Sequence, residues 1–289
     1  MKYQALNPND ERLRKSFNTL INETFGFDFE TWYQNGYWTK TYIPYVALDG
    51  DTVVANVSVN VQPMTIHAKD VLYLQLGAIA TKKSYQNQGL SRLLMEKVLK
   101  EWEDNCDQIY LYANDSVVNF YPKFGFISAK EYGFNKEITS LSKEATPQKL
   151  SLNQPEHQEL IKEKATLGNP FSKVVLKEGQ NLAMFYLQYF MNEQIYYLSD
   201  LDLIIIANYE DNNLHISEIL GNTNESLEAI IEKMLKTPIK KVTLGFTPKT
   251  SAGFNIQKLE EENTHFIFLK SKGDPLLGIQ GCFPELSHT

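Results

Sequence analysis

The chain has 289 residues, 43% of them apolar and 22% charged, with a formal net charge of −7. That length suits one large or two ordinary domains, and the composition is that of a soluble globular protein rather than a low-complexity or membrane-embedded one. The acid excess disfavours nucleic acid as a partner. The only two cysteines, Cys106 and Cys282, lack metal-type spacing and do not make a secreted disulfide framework.

The chain opens Met1-Lys-Tyr-Gln-Ala-Leu-Asn-Pro8, with no basic-plus-apolar leader. A cytoplasmic setting is therefore the expectation, with no membrane partner. The longest aliphatic run, Leu203-Ile-Ile-Ile-Ala207, is far short of a bilayer span and suits a buried strand.

In chain order, Leu13, Phe17, Leu20 and Ile21 recur at helical spacing, predicting a helix over about 10–25 capped by Asn9 or Asp10. A short helix over 29–35 follows, with Asp28 as cap and Gly36 as stop. Tyr45 to Leu48, an Asp49-Gly-Asp51 turn and Val53 to Val61 predict a β-hairpin. Alternation of Val57, Val59 and Val61 with Asn56, Ser58 and Asn60 predicts that it has one buried face. Val71 to Thr81 is apolar on both faces, as in a central strand. The helix after it carries Leu90, Leu93, Leu94, Val98, Leu99 and Trp102 on one stripe. A strand at 109–113, a short helix within 114–123 and a strand from Phe126 complete a mixed α/β unit.

Residues 138–150 are polar and aperiodic, which predicts a linker between units 1–140 and 150–289. The second half then predicts helices near 155–167 and 179–191. Strands at 195–199, 202–209 and 213–220, a helix over 224–236 and a strand at 241–246 follow. That order echoes the first half, with Lys240 to Phe246 standing where Asp107 to Ala113 stand. A degenerate internal duplication explains the echo. An unrelated α+β domain with the same element order is the alternative.

The chemistry concentrates between strand 71–81 and the next helix, in Gln86-Asn-Gln-Gly-Leu-Ser91. Gly89 lets the backbone approach an anion closely, Ser91 adds a hydroxyl, and the helix N-terminus supplies positive potential. Alone, such a pattern is an ordinary helix entry. It is followed by a strand ending in Asn114 and by Tyr121-Pro-Lys-Phe-Gly-Phe126.

Together these residues resemble the GCN5-related N-acetyltransferase (GNAT) superfamily, over roughly residues 3–137. Its acetyl-CoA motif is Arg/Gln-x-x-Gly-x-Gly/Ala at the start of the helix after the fourth strand. Ser91 departs from the usual Gly or Ala. The resemblance implies a mixed α/β GNAT fold. The two-part layout is similar to the first two domains of enhanced intracellular survival acetyltransferases, in which a degenerate GNAT-like domain follows the catalytic one.

By position, the resemblance implies that Gln86, Asn87, Gln88, Gly89, Leu90, Ser91 and Asn114 hold acetyl-CoA. Ile79, Ala80 and Thr81 would pair with its pantetheine arm as an added strand would. Tyr121 matches the general acid that protonates the leaving thiolate; the plainer reading is a buried core tyrosine. No acidic residue stands where the family sometimes places a base. The similar two-domain proteins bring a terminal carboxylate into the site, which offers Thr289, next to His288; a frayed terminus is the plain alternative.

Trp32, Tyr37, Trp38 and Tyr42 crowd the region beside the family's acceptor site and offer an aromatic wall for a cationic amine, or simply core packing. The expected function is acetyl transfer from acetyl-CoA to a small amine or peptide amine, without a metal and with an oligomer possible. A non-catalytic acyl-CoA sensor and a transferase of another acyl group are the rivals.

Overall fold

The computed structural model describes residues 1–139, 147–236, 238–260 and 262–288. The core of the expected linker thus lies outside the described residues. Strand β1 (Lys2–Ala5), which has no clear signal in the sequence, precedes α1 (Glu11–Phe25) and α2 (Glu30–Gln34). The Asp10 side chain caps α1 by accepting from the Leu13 amide. Strands β2 (Tyr42–Asp49), β3 (Thr52–Ile66) and β4 (Lys69–Thr81) follow as a meander, and then α3 (Leu90–Trp102) and β5 (Gln108–Ala113). A 3-10 segment, Val118–Phe124, occupies the place of the short helix expected there. Next come β6 (Phe126–Ser128), β7 (Tyr132–Glu137) and β8 (Gln148–Lys149).

The second half contains α4 (Pro155–Leu167), β9 (Val174–Leu176), α5 (Gln180–Tyr189), β10 (Ile195–Leu198), β11 (Leu203–Glu210) and β12 (Asn213–Leu220). After these come α6 (Leu227–Met234), β13 (Lys241–Leu244), β14 (Asn255–Lys258) and β15 (His265–Leu269).

The first sheet runs β1-β2-β3-β4-β5-β15-β6, with β9 paired to the far end of β3. The second runs β8-β10-β11-β12-β13-β7-β14. Strand for strand the two orders correspond, including the one parallel pair in each: β4 with β5, and β12 with β13. The correspondence is completed by an exchange. Strand β7 of the first half sits between β13 and β14, and β15 of the second half sits between β5 and β6. The sheets therefore do not divide at the boundary expected near 140, because each is finished by a strand from the other side of it.

The hairpin expectation of one buried face is corrected. Asn56, Ser58 and Asn60 are as buried as the valines between them. Strand β3 lies inside the sheet between β2 and β4, with α3 packed on one face and α1 on the other, so its polar residues are covered too. Valines 57 and 59 join the α3-side core with Leu94 and Val98. Phe17, Trp32 and Tyr42 join the α1-side core, which continues into Phe185 and Ile204 of the second half.

Candidate functional site

Parallel strands β4 and β5 pair only at Tyr73–Gln108, Leu74–Ile109 and Gln75–Tyr110, and then part. The cause lies in β4. Against β3, Asn56 faces Ala80 and Ser58 faces Gly77, so Ala78 and Ile79 together oppose Val57 alone. Ala78 takes φ of +46°, costly for a residue with a Cβ. Asn56 Nδ2 donates to the Ala78 main-chain oxygen at 2.7 Å and to Ser58 Oγ at 2.9 Å. This bulge bends β4 away from β5, and beyond Gln75 the β5-side main-chain groups of β4 have no strand partner among the described residues.

The end of β4 runs into the turn before α3. Asn87 and Gly89 both have positive φ, +62° and +78°. No described side chain caps α3. The main-chain N–H groups of Asn87 through Arg92 meet no acceptor among the described residues. Two left-handed residues followed by a bare helix N-terminus form a concavity of amides suited to an oxyanion. Gln86 Nε2 donates to the Thr81 oxygen at 3.3 Å, and the hydroxyls of Thr81 and Ser91 share a hydrogen bond of 2.7 Å. These bonds tie the turn to the strand and engage the Ser91 hydroxyl.

Between the parted strands lies a cleft of about 290 Å³. Its strand walls include Gly77, Ala78, Ile79, Leu111 and Ala113, and Tyr121 closes the α3 side. Tyr121 is 4% exposed, and its hydroxyl has no hydrogen-bond partner among the described residues. Burial pushes its phenol up to about 12, so it stays protonated at neutral pH. On the α1 side the cleft is aromatic: Phe25, Phe27, Phe29, Trp32, Tyr42 and, from α5, Phe185.

Residues 8–129 match the family model for the acetyltransferase (GNAT) domain. This stretch of the chain is a GNAT domain. Solved structures similar to the whole chain include a probable N-acyltransferase from Enterococcus faecalis V583, at 14% identity and a TM-score of 0.59, covering 92% of this chain and 71% of that one. Eis1 from Mycobacterium abscessus is similar at 10% identity and a TM-score of 0.58, covering 92% and 73%. A GCN5-related N-acetyltransferase from Kribbella flavida stands at 14%, 0.54, 92% and 71%. A search of curated proteins returned no match. At these identities the likeness is one of fold, and it extends over both sheets.

Within the GNAT domain the expected residues divide. Ile79, Asn114, Tyr121, Trp32 and Tyr42 border the cleft. Ala80 and Thr81 lie beyond the bulge, paired with Asn56 and Ala55. Gln86, Asn87, Gln88, Gly89, Leu90 and Ser91 form the turn at the head of α3. Trp38 is held in the core between Phe17, Phe29 and Tyr42, its Nε1 donating to the Tyr42 oxygen. Tyr37 faces away, toward Lys162 of α4. Thr289 lies outside the described residues.

Asn60, Phe25, Phe27, Phe29 and Phe185 were not signalled as site residues. The run Phe25-Gly-Phe-Asp-Phe29 gave a faint hint. Phe185 gave none, because its role depends on α5 packing against α2.

The segment after β15 links the two sheets. In the second sheet, β12 and β13 part after Ile216–Leu244, as β4 and β5 do in the first. The chain's own residues 282–287 fill that gap: the Glu285 amide donates to the Gly245 oxygen at 2.9 Å, and His215 Nε2 meets Glu285 Oε2 at 2.7 Å. Thr247 Oγ1 bonds both the Cys282 amide and the Cys282 oxygen, each at 2.8 Å. Burial would raise the Glu285 carboxyl, but the hydrogen bond and charge of His215 outweigh it and leave it lowered. The segment then reaches the first sheet, where Gln62 Nε2 donates to the Ser287 oxygen at 2.9 Å. There His288 stacks on Tyr112, with Nε2 3.0 Å from the hydroxyl. Burial lowers the His288 imidazole to about 4, so it is neutral at pH 7.

Proposed function

We propose that this protein transfers an acetyl group from acetyl-coenzyme A to a primary amine by direct attack within a ternary complex. The observation that carries the reading is the row of amides from Asn87 to Arg92 that meet no acceptor among the described residues, set beside a strand edge that parts from β5 and leads to the Tyr121 hydroxyl. The amides and the α3 N-terminus suit a pyrophosphate. The free edge of β4 at Leu76 to Ile79 suits an amide-bearing pantetheine arm, which can pair with it as a strand does. The thioester then lies where the strands part, and the amine enters from the aromatic side.

In the transfer the amine nitrogen forms a bond to the thioester carbon and the carbon–sulfur bond breaks. The thiolate takes the Tyr121 proton, and the proton lost by the ammonium leaves to solvent and restores the phenol. Holding both reactants in one cleft supplies much of the acceleration. A phenol held near 12 is protonated at neutral pH and so carries a proton for the thiolate, and the return of that proton from solvent draws the step forward.

The test is to incubate purified protein with acetyl-CoA and an amine panel and to follow free thiol, with CoA binding measured separately by calorimetry. Thiol release that falls in Tyr121→Phe, with CoA binding retained, supports the transferase. Tight CoA binding with no release on any amine favours the acyl-CoA sensor. Absence of CoA binding overturns both.

A further inference from the structure

The acceptor half of the cleft has a chemistry of its own. None of the described side chains lining it is charged. Its wall is a cluster of rings in mutual contact. Phe29 and Phe185 stack at 5.4 Å, Phe27 meets Phe185 edge-on at 5.8 Å, and Trp32 meets Phe185 at 5.7 Å and Tyr42 at 5.5 Å, both edge-on.

The mouth is apolar as well. Phe25 is 42% exposed and Val117 42%, both bordering the cleft, while Phe190 is 53% exposed and packs on Phe27 and Phe185. Three of the eight large apolar side chains exposed among the described residues thus gather at one opening, where solvation alone would scatter them.

Beside the Tyr42 hydroxyl, the side-chain amide of Asn60 faces this apolar frame. Asn60 is 6% exposed and borders the cleft, and its side-chain amide makes no hydrogen bond to a described residue. It pairs across the sheet with Gln75, whose partner Tyr110 makes the last β4–β5 pair before the strands part. Asn60 is therefore level with the point where a thioester would be attacked. Its amide oxygen can accept an N–H from an incoming amine.

From this arrangement we propose that the acceptor is a monoamine carried on a flat apolar body, an arylalkylamine in chemical class. The rings of Phe27, Trp32 and Phe185 hold the body, and Asn60 receives the nitrogen. A polycation is disfavoured because it would bring several charges into a cleft where no described lining side chain carries a carboxylate to meet them. The proposal rests on the acyl-transfer reading and narrows its substrate.

The experiment compares 2-phenylethylamine and tryptamine with spermidine and a lysine peptide as acceptors, each with acetyl-CoA and with octanoyl-CoA. The expected result is a kcat/KM at least about tenfold higher for the arylalkylamines. Phe185→Ala should raise their KM about tenfold with the Kd for CoA unchanged. Should Phe185→Ala fail to fold, the exposed Phe25→Ala should raise the same KM severalfold.

Preference for spermidine or the lysine peptide overturns the proposal while leaving the transferase reading standing. So does a Phe185→Ala loss confined to octanoyl-CoA, which would make the ring cluster an acyl-chain pocket. If no amine releases thiol, binding of 2-phenylethylamine to the CoA-loaded protein is measured by calorimetry. Binding tighter than that of spermidine supports the site, and its absence overturns it.

Discussion

The Asn56 side-chain amide holds the main-chain oxygen of Ala78 at 2.7 Å, and Ala78 is the left-handed residue that turns β4 out of the sheet. One amide thus braces the bend that opens the cleft. Glycine reaches φ near +46° freely, whereas a β-branched residue does not. Ala78→Gly is expected to unfold in urea within about 1 kcal/mol of the parent. Ala78→Val is expected to lose about 1–3 kcal/mol and to weaken CoA binding in calorimetry. An Ala78→Val protein that matches the parent in both would contradict the assignment of strain to this residue.

Among the described residues the Tyr121 hydroxyl has no hydrogen-bond partner, and burial alone raises its phenol. Tyr121→Phe removes the donor and almost no volume. The expected loss in kcat is about 100-fold to 10,000-fold, with CoA affinity unchanged. Because burial places the phenol at about 12, the parent enzyme should show no alkaline fall in kcat attributable to this group below pH ~10. Stopped-time thiol release across pH checks both statements.

Glu218 is buried in the second sheet, where Asn169 Nδ2 and the Ile219 amide donate to its Oε1. Burial nevertheless pushes its carboxyl up to about 7 from 4.5. The folded state therefore binds a proton that the unfolded state has released between these values. The stability this proton contributes is complete below 4.5 and is lost as pH rises through about 7. Glu218→Gln keeps both accepted bonds and carries no charge. At pH 8 it should be more stable than the parent by roughly 2–3 kcal/mol, and at pH 4 the two should agree. Urea unfolding at both pH values gives the comparison.

The filling of the second sheet's gap leaves no room at two glycines. A Cβ on Gly245 would meet Glu285 Oε2 at 2.5 Å and the Ser217 Cα at 2.9 Å, and one on Gly281 would meet Thr247 Oγ1 at 2.3 Å. Gly245→Ala and Gly281→Ala should each cost about 1–3 kcal/mol. They should also loosen residues 282–288, read as faster amide exchange there and faster cleavage by carboxypeptidase. Unchanged protection in both variants would mean that the segment is not held by these contacts.

Local features were legible in the sequence wherever neighbouring residues make them. The turn from Gln86 to Ser91 depends on a glycine, a strand before it and an amphipathic helix after it, all within about twenty residues. Helix α1, helix α3 and strands β4 and β11 likewise follow from their own periodicity. The polar residues of β3 were misread as a solvent face because alternation reports polarity, not what covers it. Asn56, Ser58 and Asn60 are buried by helices that the strand itself cannot specify.

By itself the sequence determined the strand–turn–helix with its glycine at the helix entry, the tyrosine that follows it, and the repetition of element order in the second half. Each is encoded by short-range pattern and backbone preference. Only the tertiary structure decided that β7 and β15 change places, that residues 282–288 lie across both sheets, and that Phe185 walls the cleft. The same contact brings Trp32 Nε1 within 2.8 Å of the Asn181 oxygen, across 149 residues of chain. Such pairings are chosen by which apolar faces remain to be covered once every element has formed, and no local stretch of chain carries that information.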